Sequence, residues 1–204
     1  MFANVCDYVN SIFKGGFLKS TLKNLIHKFR YGFVAMFAAS FILIIDLTTK
    51  AVTEGQHIGI VDGFISIFSS HNTGAAWSML NKHTWLLVVL SIIFICIILF
   101  TNYKFKQKNM MYSIGFGLVI GGAIGNLIDR VAFGYVRDFI SLDFINFPIF
   151  NIADCAITIG VVLLGLFFVM LTAKDIKNKR EQSENLETKE EGTLPKNNNE
   201  DING

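Results

Sequence analysis

A chain of 204 residues with 52 % apolar, only 17 % charged, 20 Phe and 2 Pro is too oily for an ordinary soluble domain, which carries about 25 % charged residues. Mean hydropathy is +0.48. The net charge of +2 hides an uneven distribution, because residues 31–45, 84–103, 109–128 and 155–173 contain no Asp, Glu, Lys or Arg. Crossing a bilayer core of about 30 Å takes roughly 20 apolar residues in helical form. Three of the runs reach that length, and the first does so if it continues past Asp46 to Lys50. The expected fold class is an all-α membrane protein with four transmembrane helices, over about 31–50, 84–103, 109–129 and 155–173.

Residues 1–30 place Val5, Val9, Ile12, Phe13, Phe17, Leu22, Leu25, Ile26 and Phe29 at mostly helical spacing, with lysines between them. This reads as a basic amphipathic extension lying on the cytoplasmic membrane surface, in one piece or in two broken at Gly15-Gly16. Lys14, Lys19, Lys23, Lys28 and Arg30 precede span one, Lys104, Lys106 and Lys108 separate spans two and three, and Lys174, Lys177, Lys179 and Arg180 follow span four. The opposite side has only Lys50, Lys82, Arg130 and Arg137. Basic loops stay cytoplasmic, so both termini are expected inside. Two loops then lie outside, from about 51 to 83 and from about 130 to 153.

In the first outer loop, Ile58 and Ile60 lead to Asp62-Gly63, followed by Phe64, Ile65, Ile67 and Phe68. An Asp-Gly pair between β-branched and aromatic residues predicts a β-hairpin, hence a small sheet on the extracytoplasmic face. Residues 131–150 are also apolar and are expected to dip into the membrane interface. After span four, residues 174–204 lose their bulky apolar side chains and read as a disordered cytoplasmic tail. The four-span body would therefore occupy residues 31–173.

Polar groups gather near the outer ends of the spans: Asp46, Asn72, Asn126, Asp129, Arg130, Asp138, Asp143, Asn151 and Asp154. Ionisable groups at such depth are costly and usually mark a site. Gly117, Gly121 and Gly125 recur every four residues, which lets helix backbones approach closely. Several carboxylates also have plain structural readings. Asp154 can cap the fourth helix, Asp46 and Lys50 can pair at i,i+4, and Asp129 can be structural beside Arg130. Asp138 has no such role in view. Two carboxyl groups held close in poor solvent cannot both ionise, so one can take a proton from water while the other protonates a carbonyl oxygen. That is aspartic protease chemistry. His27, His57, His71 and His83 share no ligand spacing, so no metal site is expected. Cys6, Cys96 and Cys155 suggest no disulfide framework.

The chain resembles the lipoprotein signal peptidases (signal peptidase II), bacterial four-span aspartic proteases. The resemblance is carried by Asp46-Leu47-Thr48-Thr49-Lys50, by His71-Asn72-Thr73-Gly74-Ala75-Ala76-Trp77-Ser78, by Gly121-Gly122-Ala123-Ile124-Gly125-Asn126-Leu127-Ile128-Asp129-Arg130 with Val136-Arg137-Asp138-Phe139-Ile140, and by Phe150-Asn151-Ile152-Ala153-Asp154. It implies Asp138 and Asp154 as the catalytic pair. Asn72, Asn126, Arg130 and Asn151 would line the pocket, with Gly74, Gly122, Ala153, Asp46, Lys50 and Asp129 as substrate-binding or supporting residues. It also implies a prolipoprotein substrate already carrying a diacylglyceryl group, cut on the amino side of its lipidated cysteine, in the bacterial cytoplasmic membrane with the site at the outer face. No cofactor and no nucleic-acid partner are implied; membrane lipid is, and the chain is expected to be a monomer. Three features depart from the family pattern: Trp77, a short segment between positions 138 and 154, and Arg137, which is expected to lower the pKa of Asp138. A rival reading is a four-span channel or assembly factor whose carboxylates bind ions or a partner.

Overall fold

The computed structural model describes residues 16–74, 84–105 and 108–193, with side chains placed between residues 29 and 184. Helix α1 runs Gly16–Thr53, followed by strands β1 (His57–Val61) and β2 (Ile65–Asn72). Helices α2 (Thr84–Phe105) and α3 (Met110–Phe133), strand β3 (Val136–Leu142) and helix α4 (Ile152–Thr193) complete the chain. Four stretches are long and apolar enough to cross a membrane: Phe29–Thr53, Thr84–Phe105, Met110–Phe133 and Ile152–Glu184. Residues up to Leu164 form one compact unit and those from Gly165 onward another. Residues 1–15, the 75–78 part of the Asn72 motif, and residues 194–204 lie outside the described residues.

α1 is a single 38-residue helix, because no proline interrupts the chain between Gly16 and Thr53. At 1.5 Å per residue it is about 57 Å long, nearly twice a bilayer core. Residues 16–30, expected as a separate surface helix, therefore continue straight into the first span. α4 likewise remains helical to Thr193, where composition leads one to expect disorder. Its last turns are rich in Glu and Lys, which are good helix formers.

α3 is the central helix of the first unit: 61 % of its most apolar window is buried, against 6 % for α1 and for α2. The glycines explain how. A Cβ on Gly121 would stand 2.6 Å from the Ala39 carbonyl oxygen of α1, and one on Gly117 would collide with the Ala35 carbonyl. On the opposite flank, a Cβ on Gly122 would stand 2.5 Å from the carbonyl oxygen of Ala153 at the start of α4. The three helices thus meet backbone to backbone, as small residues permit in an apolar solvent. Asn109 caps α3 by accepting the Tyr112 N–H at 3.1 Å, and Gly134 ends it with φ +80°.

The hairpin forms as expected, with Gly63 at φ +70° in the turn and β1 antiparallel to β2. A third strand was not expected: β3, from the apolar segment after α3, pairs antiparallel with β2 and gives the order β1-β2-β3. Beyond β3 the chain returns, and Phe150 exchanges backbone hydrogen bonds with Ile140 at 2.8 and 3.1 Å. That bridge sets Asn151 and the first turn of α4 against Asp138.

Candidate active site

Asn151 opens α4. Its side-chain oxygen accepts the Asp154 N–H at 3.0 Å, while Asp154 Oδ2 accepts the Asn151 N–H at 3.2 Å. This reciprocal arrangement is a capping box built from Asn and Asp. The capping role open to Asp154 is therefore realised, yet it occupies one oxygen only. The other, Oδ1, accepts from Asn126 Nδ2 at 2.8 Å.

Asp138 lies on β3 with 3 % of its surface exposed. Its Oδ1 accepts from Asn151 Nδ2 at 2.6 Å, and its Oδ2 from Asn72 Nδ2 at 2.9 Å. Asn72 is held in turn by the Gly74 N–H, which donates to its Oδ1 at 3.0 Å. Burial pushes the Asp138 carboxyl up to about 6, and the nearby Asp154 charge adds to the rise against the two carboxamide donors. Asp138 and Asp154 both line one cavity of about 590 Å³, together with Asn72, Asn126 and Arg130. Its remaining wall is mostly apolar, with Val136, Leu142, Phe147, Pro148 and Phe150 among its residues.

Behind the two aspartates sits a fully buried ionic cluster. Lys50 Nζ lies 2.7 Å from Asp46 Oδ2 and 3.2 Å from Asp129 Oδ2 in ion pairs, and donates a hydrogen bond to Asn126 Oδ1 at 2.9 Å. Asp46 Oδ1 also accepts the Ala153 N–H at 2.9 Å, tying α1 to the start of α4. The i,i+4 pair expected at the end of span one exists, but it is one edge of a wider network.

Arg137 corrects an expectation. Strand alternation directs its side chain to the face opposite Asp138, where Nη2 meets Asp129 Oδ1 at 2.7 Å and the Arg137 N–H reaches Asp129 Oδ2 at 3.0 Å. It does not lower Asp138, whose carboxyl is raised. Asp143 is not part of the site either. It accepts from Ser66 Oγ at 2.8 Å and Ser141 Oγ at 3.2 Å at the sheet margin. Arg130 lines the cavity with its Nε buried and without a hydrogen-bond partner among the described residues.

Sequence reasoning missed a bond that joins β2 to the turn following α1: His71 Nε2 lies 2.6 Å from Glu54 Oε1, with the His71 ring stacked on Tyr135 at 4.0 Å. His71 directly precedes Asn72, and its position within the motif was the only available signal. The residues 75–78 and Trp77 among them fall outside the described residues.

Four helices apolar enough to cross a membrane, with a buried and a half-buried aspartate lining one cavity, fit the class of membrane aspartic peptidases. A family sequence profile described as "Signal peptidase (SPase) II" matches residues 38–170. The chain belongs to the signal peptidase II family, and it is a multi-pass bacterial membrane protein. It is 39 % identical over 134 residues to the lipoprotein signal peptidase of Enterococcus faecalis, covering 65 % of this chain and 83 % of that one. Against the lipoprotein signal peptidase of Lactiplantibacillus plantarum it is 40 % identical over 128 residues, 60 % of this chain and 85 % of the relative. Among solved structures, a bacterial membrane enzyme determined in meso at 2.3 Å superposes with a TM-score of 0.62 at 34 % identity, covering 71 % of this chain and 90 % of that one.

Proposed function

We propose that this protein removes signal peptides from diacylglyceryl-modified prolipoproteins, with Asp138 and Asp154 as its catalytic pair. The cut falls on the amino side of the lipidated cysteine. The supporting observation is that both carboxyl groups face one largely apolar cavity and are tied together through Asn151. In the reactive form of the pair Asp138, the more deeply buried of the two, holds the shared proton. Asp154 takes a proton from water as the oxygen attacks the scissile carbonyl, and Asp138 gives its proton to the carbonyl oxygen. The tetrahedral centre then expels the cysteine amine, which leaves with a proton returned by the pair.

In this reading Asn72, Asn126 and Asn151 orient the pair. Arg130 faces the substrate, while Asp46, Lys50, Asp129, Gly74, Gly122 and Ala153 hold the frame. The skewed placement of basic residues supports cytoplasmic termini and a site at the outer face of the cytoplasmic membrane, with the sheet on that side. Residues 31–173 form the peptidase body, flanked by a basic extension over 1–30 and a cytoplasmic tail over 174–204. The chain acts as a monomer, with membrane lipid around it.

Cleavage of a diacylated prolipoprotein by the purified protein tests the proposal. Asp138→Asn or Asp154→Asn is expected to abolish turnover, a loss of at least about 10³-fold, while the protein still accumulates in the membrane. Turnover near wild type in either variant would favour the channel or assembly-factor reading.

A further inference from the structure

Two of the three carboxamides that donate to the aspartates, Asn126 and Asn151, meet at a single oxygen. Asn126 Nδ2 donates to Asp154, and Asn151 Nδ2 donates to Asp138 at 2.6 Å and also to Asn126 Oδ1 at 3.1 Å. The third group at that oxygen is Lys50 Nζ, 2.9 Å away and wholly buried. An asparagine side chain presents an acceptor at one end and two donors at the other, and the ends differ little in shape. Turned about, Asn126 would direct N–H groups at the Lys50 ammonium and the Asn151 amide, and its carbonyl oxygen at the Asp154 carboxylate. All three contacts would be repulsive. We infer that Lys50 is a positioning residue for the reaction, fixing through Asn126 Oδ1 which end of the Asn126 carboxamide faces Asp154.

A purely structural role explains less. Asp129 already receives two side-chain contacts and one backbone N–H from Arg137, so it has a cation without Lys50. Holding α1 to α3 needs only the two ion pairs with Asp46 and Asp129 and would not call for a further bond to Asn126. The Lys50 hydrogen bond goes instead to the one atom where Asn126 and Asn151, donors to the two aspartates, meet. Hydrogen bonds to charged groups in a dry site are stronger than neutral ones, which suits an orienting function.

The inference rests on the assignment of Asp138 and Asp154 given above. Steady-state cleavage of a diacylated prolipoprotein by the full-length protein is compared for Asp46→Asn, for Asp46→Asn with Lys50→Met, for Asp46→Asn with Asn126→Leu, and for all three changes together. Asp46→Asn is included so that losing the lysine leaves no lone carboxylate at that position. If Lys50 acts through Asn126, Lys50→Met lowers kcat roughly ten- to hundredfold with KM within about twofold. It then adds little once Asn126→Leu is present, since residues acting through one contact are not additive. The same factor lost in both backgrounds, or a loss carried by KM alone, overturns the inference. Lys50→Gln keeps an N–H donor and is expected to recover part of kcat; a value as low as for Lys50→Met overturns it too. Should the methionine variant fail to accumulate, Lys50→Gln with and without Asn126→Leu provides the same cycle. An active Asp138→Asn would remove the catalytic assignment itself, whereas an inactive Asp138→Asn with additive Lys50 losses removes only the role given to Lys50.

Discussion

The charges around the site separate into two groups. Asp46, Asp129, Lys50 and Arg137 neutralise one another behind the aspartates, so that cluster is balanced although three of its members are fully buried. Arg130 is left as the cation facing the cavity with Asp138 and Asp154. The elevated Asp138 carboxyl has a thermodynamic signature. Its folded value of about 6 exceeds the ordinary 3.8, so the folded protein binds the proton more tightly than the unfolded chain does. Folding therefore loses stability through this group as pH rises from about 4 to about 6, and the deficit stays constant above that. Asp138→Asn removes it. The stability of that variant relative to wild type is expected to climb over this interval by up to about 3 kcal/mol and then level off, read from thermal unfolding in detergent at pH 4, 5, 6 and 8. A pH-independent difference would mean that Asp138 titrates normally. Type and position singled these residues out and also gave the Asp46–Lys50 pair, but not their other partners. Arg137 illustrates why: adjacency in sequence placed it beside Asp138, while alternation along a strand turns neighbouring side chains to opposite faces.

At the level of elements, the apolar runs announced all four helices, because in hydrocarbon a spanning segment must satisfy its own backbone and composition alone betrays it. The hairpin was equally plain from Asp62-Gly63. β3 was hidden, since its VRDFISL stretch lies between two helices with no turn of its own to the partner strand. Its pairing joins residues some 70 positions apart, His71 to Arg137 for instance, and such registers leave little local trace. The glycine spacing in α3 correctly suggested close packing. Gly121→Ala is expected to push α3 away from Ala39 and lower stability by about 1–3 kcal/mol, seen as a drop in the unfolding midpoint. Gly32→Ala on α1, where an added Cβ meets nothing within 4 Å, serves as the matched control and leaves the midpoint unchanged or slightly higher. Equal effects at the two positions would argue against backbone contact between α1 and α3.

On the scale of the whole molecule, the basic residues make a prediction about orientation. Alkaline phosphatase, active only outside the cytoplasm, is expected to work when inserted after Gly63 and to be silent when fused after Arg180. The reverse pattern would invert the topology. The site itself draws on α1, β2, α3, β3 and α4, whereas α2 supplies none of the residues in the hydrogen-bonded network. Composition could announce the spans but not this division of labour, which depends on how the helices are ordered around α3. One bond carries a temporal consequence: the Ala153 amide and Asp46, 107 positions apart, close the circuit between the earliest span and the last. A chain made and inserted from its amino end can form that bond only after the start of its fourth helix has been made. The first three spans alone lack this tie and, on the proposed assignment, one of the two aspartates, so a chain stopped before residue 153 is expected to be inactive.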